Sequence, residues 1–252
     1  MVKKKNYFAL VKYILGDMIS EHQPKIFKSG VLVALSSVDD GNMRVGLGDT
    51  DEVVTENRRK FLSRNMIALQ STVLCGVTYD RENFTEYAAV RKHDKGRGMV
   101  PGTDMIIADA LTTDEKDSAL FLPLADCVGA ILYDPARQPR LMVAHLGRHS
   151  IEQGGVAKCV EFMKFQYGTN PENLLVWLSP SPNGDDYPIW KRDNKSFREV
   201  AVEDLLGAGV VEENIEVSSV DTIKSTDYFS HSEFLKGNRE NDGRYAIVAK
   251  LR

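Results

Sequence analysis

Cysteine is scarce in this 252-residue chain: Cys75, Cys127 and Cys159 are the only three. Three thiols are too few for a disulfide framework, and any pairing leaves one over. Reduced thiols and a cytoplasmic setting are therefore expected. Long apolar runs are missing as well. None approaches the roughly 20 residues that span a bilayer, so no membrane partner is expected. The N-terminal stretch MVKKKNYFALVKYILGDM starts basic, but it lacks the apolar core and small-residue cleavage site of a secretory signal. Positive charge is not in excess: 32 Lys and Arg stand against 36 Asp and Glu, a net charge of −4. Such a chain has no surplus to neutralise phosphates, and no nucleic-acid partner is expected. Repeats, low-complexity tracts and Pro- or Ser-rich linkers are absent too. The nine prolines and 19 glycines are scattered, so the chain reads as a single domain over residues 1–252, with 1–28 as an N-terminal extension. A monomer or small homo-oligomer is expected.

What is present is an ordinary globular composition, 42% hydrophobic and 27% charged. Apolar runs at 30–36, 71–79, 86–91, 119–124, 128–133, 140–145, 174–178, 215–217 and 245–249 read as strands. Helical spacing appears over 52–69, with Thr50 or Asp51 as its cap, over 151–167, and over 198–208, ending at Gly209. Strands and helices interleave, so the class is α/β (α+β), a mixed β-sheet flanked by helices in layers.

The densest chemical signal is Ala125-Asp126-Cys127, followed 18 residues on by His145. Each ends an apolar run, and the intervening Asp134-Pro135 turn brings the two together. A thiol and an imidazole at one junction suit a nucleophile pair or a metal site. His93 ends a third strand-like segment. Three ligand-type residues, each leaving a strand, are how an open catalytic zinc site is assembled, with a fourth position left for water or substrate. Asp126 beside the thiol could orient a histidine or a substrate. Arg148 and His149 precede the 151–167 helix, whose start could hold an anion or be capped by Ser150.

Several segments in order resemble the laccase-domain proteins, also called the multicopper polyphenol oxidase family. The segments are Met43 to Asp49, Glu56-Asn57-Arg58-Arg59, Ala108-Asp109-Ala110, Leu124-Ala125-Asp126-Cys127, Ala144-His145-Leu146-Gly147, Tyr228-Phe229-Ser230 and Gly243-Arg244. The resemblance covers almost the whole chain. It implies the layered fold of that family and an enzyme of purine nucleoside metabolism, acting by phosphorolysis or by adenosine deamination. It also implies zinc held by Cys127, His145 and a third histidine, for which His93 is chosen. Zinc is preferred to copper, because one Cys and two or three His cannot build the several copper centres of a laccase. Candidate catalytic residues are thus Cys127, His145, His93 and Asp126. Arg44, Asn57, Arg148, His149 and Ser230 are candidates for binding nucleoside or phosphate.

The chain also departs from that family. Its early Ser-Thr-Arg is Ser36-Ser37-Val38 here, and the Trp-Arg-Gly after the second histidine is Arg148-His149-Ser150. Arginine forks are natural binders of phosphate oxygens, so these losses imply weak phosphate binding and hydrolysis surviving better than phosphorolysis. Two rival functions stay open. One is a Cys–His hydrolase or deamidase, since the family fold resembles the catalytic domain of cytotoxic necrotizing factor toxins. The other is a nucleoside-binding protein without turnover.

Overall fold

A computed structural model describes residues 24–184 and 186–252. His22 and most of the expected N-terminal extension lie outside this range. Within it, Lys25 and Ile26 donate their backbone N–H groups to the Glu216 carboxylate at 2.7 Å each, and Phe27 is buried in the core.

The strands are β1 (Val31–Leu35), β2 (Thr72–Gly76), β3 (Tyr87–Ala89), β4 (Ile106–Ile107), β5 (Ala110–Thr113), β6 (Ala119–Leu124), β7 (Val128–Asp134), β8 (Arg140–Leu146), β9 (Leu175–Leu178), β10 (Ile215–Val217) and β11 (Tyr245–Leu251). They form two mixed sheets where one was expected, in the orders β1-β11-β6-β2-β4 and β10-β9-β7-β8-β5-β3. Alternation along each strand sends its two sets of side chains to opposite faces. In β6, Leu120, Leu122 and Leu124 enter a core shared with Ile131, Leu141, Val143 and Trp177 of the second sheet. The intervening Phe121 packs instead with Phe61 and Leu62 of helix α1 (Asp51–Arg64). The outer face of the second sheet, carrying Leu132 and Met142, is covered by α3 (Gly155–Tyr167) and α4 (Phe197–Gly207). The order of layers is helix, sheet, sheet, helix. Strands buried on both faces explain why β7 and β8 read as nearly continuous apolar runs.

Thr50 caps α1, its hydroxyl accepting from the Val53 N–H at 3.4 Å. The helix stops at Arg64, five residues short of the sequence reading, and Met66 turns left-handed with φ 57° just beyond it. The helix read over 151–167 is two helices, α2 (Arg148–Glu152) and α3. Gly154, at φ 74°, turns the chain between them. Ser150 therefore lies inside α2, and Gly147 is its N-cap. β4 and β5 have no counterpart among the strands expected from sequence. A short helix, α5 (His231–Leu235), is a further addition. Among the described residues no helix is long and apolar enough to cross a membrane.

Candidate functional site

Ala125-Asp126-Cys127 is the turn that carries the chain from β6 in the first sheet to β7 in the second. Asp126 holds this turn in a left-handed conformation, φ 69°, which is unfavourable for a residue with a side chain. Its carboxylate fixes the turn from the other side. It accepts from the Thr222 hydroxyl at 3.1 Å and from the Ser232 N–H at the start of α5 at 2.8 Å. Asp126 is thus engaged in positioning Cys127.

His145 is the penultimate residue of β8 and pairs with Gly129 of β7. Its N–H donates to the Asp109 carbonyl at 2.7 Å. The chain then turns at Gly147, where the two side chains converge. A Cβ on Gly147 would lie 3.3 Å from Cys127 Sγ and 3.3 Å from His145 Nε2. Twice that distance is therefore the upper bound on their separation. Burial pushes the His145 pKa down to about 3, with Arg44 and Arg81 adding to the effect, so the ring is neutral at physiological pH. Enclosure and the charge of Asp126 push the Cys127 thiol up to about 12, against smaller opposing effects of Arg244 and Arg148.

The pair lies at a cavity of about 330 Å³, within the range typical of small-molecule sites. Arg44, Arg148 and His149, all anticipated from sequence, line it. His149 stacks on Phe84 with ring centroids 4.7 Å apart. The Arg148 guanidinium sits over Tyr187 at 5.2 Å and donates to the Pro188 carbonyl at 3.1 Å. Tyr79, Phe84, Tyr187, Phe197, His231 and Arg244 complete much of the wall. Tyr79 and Phe84 share the loop between β2 and β3, their ring centroids 6.4 Å apart, while Tyr187 lies in a second loop and Phe197 starts α4. His231 Nδ1 and Arg244 Nη1 both contact Asp242, at 3.1 and 2.7 Å.

Three expected residues are elsewhere. His93 lies in a single 3₁₀ turn, Lys92–Asp94, beyond the far end of β3, its side chain 82% exposed and its Nε2 3.7 Å from Asp94. Val90 is already level with Thr112, which pairs with Met142. His93 is therefore at least about 10 Å from the His145 level along the sheet, and two strand spacings, about 10 Å, across it. Asn57 is not among the residues lining the cavity, and its amide donates to the Asn42 carbonyl at 3.1 Å. Ser230 is a helix cap, accepting from the Glu233 N–H at 3.3 Å. The expected zinc triad is corrected accordingly. Cys127 and His145 come together without His93, and no group of three or more His, Cys, Asp or Glu among the described residues could hold a metal ion. Two donors fall short of the three protein ligands of an open catalytic zinc site.

The fold and site can be set beside known proteins. The chain is 29% identical over 169 residues to the purine nucleoside phosphorylase YlmD of Bacillus subtilis (strain 168), covering 66% of this chain and 59% of that relative. It thus spans less than two thirds of that relative's length. The crystal structure of YlmD from Geobacillus stearothermophilus superposes with a TM-score of 0.79 at 23% identity, over 91% of this chain and 94% of that one. The hypothetical protein YfiH of Bacillus licheniformis gives 0.75 at 23% identity, over 88% and 93%. A Neisseria meningitidis protein gives 0.71 at 17% identity, over 91% and 98%. These superpositions establish the layered α/β fold. The model of the family described as multi-copper polyphenol oxidoreductase laccase matches residues 29–201, a stretch that is more than half of the chain and contains both Cys127 and His145, and the chain belongs to that family.

Proposed function

We propose that the cavity binds a purine nucleoside together with phosphate and splits the N-glycosidic bond. A phosphate oxygen bonds to C1′ of the ribose. The bond from C1′ to the base nitrogen breaks with its electron pair, and the base takes up a proton from water. The products are free base and ribose 1-phosphate. One observation carries this reading: a cavity in which aromatic rings and arginines face a Cys–His pair. The name of the Bacillus subtilis relative supports it.

The stacked Phe84–His149 pair offers a flat face to a purine. Arginines supply positive charge where phosphate charge must be held. A neutral imidazole at His145 and a protonated thiol at Cys127 suit hydrogen bonds to ribose hydroxyls better than a standing charge would. The test is a panel of adenosine, inosine and guanosine, with and without phosphate, read by chromatography. Base release that depends on phosphate supports the proposal, and base release equal in both conditions contradicts it. The phosphate-free arm also reads deamination, since adenosine would then yield inosine.

The convergence of Cys127 and His145 favours a second reading, a Cys–His hydrolase or deamidase. That chemistry needs an available thiolate. Rapid alkylation of Cys127 by iodoacetamide at neutral pH, with no turnover of any nucleoside, would favour it.

A further inference from the structure

Arg44 and Arg244 lie 200 residues apart in sequence, yet one buried carboxamide clamps their main chains together. Asn42 Oδ1 accepts from the Arg44 N–H at 2.9 Å and from the Arg244 N–H at 3.0 Å, while its Nδ2 donates to the Arg44 carbonyl at 2.7 Å. The Met43 N–H closes the contact by donating to the Arg244 carbonyl at 2.9 Å. Both side chains reach the wall of the cavity. Their charges are not balanced. Arg244 and His231 share the carboxylate of Asp242. Among the described residues Arg44 has no ion pair; its guanidinium donates only to the Val77 carbonyl, at 3.3 Å. Burial lowers the Arg44 pKa, and the charge of Arg244 is the next cause. Two enclosed guanidiniums carried on adjoining backbone, with a single carboxylate beside them, repel each other, and an anion near both relieves that cost.

We propose that Arg44 and Arg244 form the seat of a tetrahedral phosphate oxyanion in the wall of the Cys127–His145 cavity. The seat rests on the phosphorolysis reading and deepens it. Arg44 brings a guanidinium to the cavity wall from the loop before α1. Arg148 is not part of the seat, because its guanidinium is held among Tyr187, Trp190 and Phe197 and by the Pro188 carbonyl. The source of the oxyanion is either free inorganic phosphate or the phosphate of a ribose phosphate ester.

Binding is measured directly on the full chain by calorimetry, at constant ionic strength, with inorganic phosphate, with ribose 1-phosphate and with chloride as the control. The variants are Arg44→Gln, Arg244→Gln and, as a charge control, the exposed Arg59→Gln. Saturable binding of either phosphate form should weaken at least tenfold in Arg44→Gln and Arg244→Gln and stay unchanged in Arg59→Gln. Binding of inorganic phosphate identifies a free co-substrate, and binding of the ester alone identifies a substrate phosphate. Arg44→Gln breaks no ion pair, so it remains informative if Arg244→Gln fails to fold. Equal phosphate affinity in wild type and Arg44→Gln, or no saturable binding of either form, overturns the seat. Because no nucleoside is present, the seat can stand if phosphorolysis fails, and nucleoside turnover with unaltered phosphate affinity in both variants would sink the seat alone.

Discussion

A methyl group at residue 147 separates damage to the site from damage to the fold. Gly147 has φ −84° and ψ 174°, a conformation that any residue adopts without strain. At a helix N-cap Gly is preferred to Ala, so the exchange itself costs up to about 1 kcal/mol. The added Cβ, however, would sit 2.7 Å from His145 Cε1 and 3.3 Å from Cys127 Sγ. The imidazole is held by a buried strand, so it must tilt or the turn must shift by several tenths of an ångström. Overpacking of this kind costs about 1–3 kcal/mol, which for a domain of this size lowers Tm by about 2–4 °C per kcal/mol. Misplacement of a reacting group by about 1 Å costs on the order of 100-fold in rate. Gly147→Ala should therefore remain folded, with Tm down by a few degrees, while kcat/KM falls by about two orders of magnitude. Gly155→Ala is the comparator. Its Cβ would meet Ser150 Oγ at 2.1 Å and the Ser150 carbonyl oxygen at 2.8 Å, at the junction of α2 and α3, so it should lose more stability. Differential scanning calorimetry and steady-state kinetics on both variants read the difference. Wild-type kcat/KM in a folded Gly147→Ala protein would show that the Cys127–His145 pair takes no part in turnover.

Three further outcomes are expected. Cys159 is buried on α3 among Val156, Val160 and Met163, so Cys159→Ala should lower stability by about 1 kcal/mol or more through a small cavity, while Cys127→Ala should abolish turnover with little change in Tm. The His145 ring is neutral in the fold down to about pH 3 but titrates near 6.5 when unfolded. The unfolded chain therefore binds the extra proton, and this contribution to stability is intact above pH 6.5 and lost as pH falls toward 3, at up to about 1.4 kcal/mol per unit. Urea melts of His145→Gln should show a shallower loss over that window, and an unchanged slope would refute the assignment. Arg81 pairs at 2.6 Å with Asp109, which is 1% exposed, so Arg81→Met should cost about 3–5 kcal/mol by leaving a buried charge unpaired, and adding Asp109→Asn should restore part of it.

The strands were legible in sequence because both sheets are buried, leaving uninterrupted apolar runs in β6, β7, β8 and β11. The meeting of Cys127 and His145 was legible for a related reason: β7 and β8 form a hairpin, and the five-residue connection after Asp134 fixes which ends face each other. His93 shows where this reasoning fails. Its strand pairs in parallel with β5, and the register of a parallel pair, joined here by a long connection, is not written in the intervening residues. The break at Gly154 was missed because an apolar face continues across it at helical spacing. Only the left-handed backbone separates the two helices. The arginine pair is half visible in sequence, since Arg44 and Gly243-Arg244 both fall in motif segments, but the carboxamide of Asn42 that joins them acts across 202 residues. The aromatic wall comes from three places in the chain, the β2–β3 loop, the loop at Tyr187 and the start of α4, brought together only by the fold.

The most direct measurement is ³¹P NMR of inosine with inorganic phosphate and the full chain, run beside Cys127→Ala. Ribose 1-phosphate should accumulate in step with hypoxanthine with the wild-type protein and not with the variant. Hypoxanthine appearing with free ribose and unconsumed phosphate, or equal ribose 1-phosphate from both proteins, would contradict phosphorolysis at the Cys127–His145 cavity.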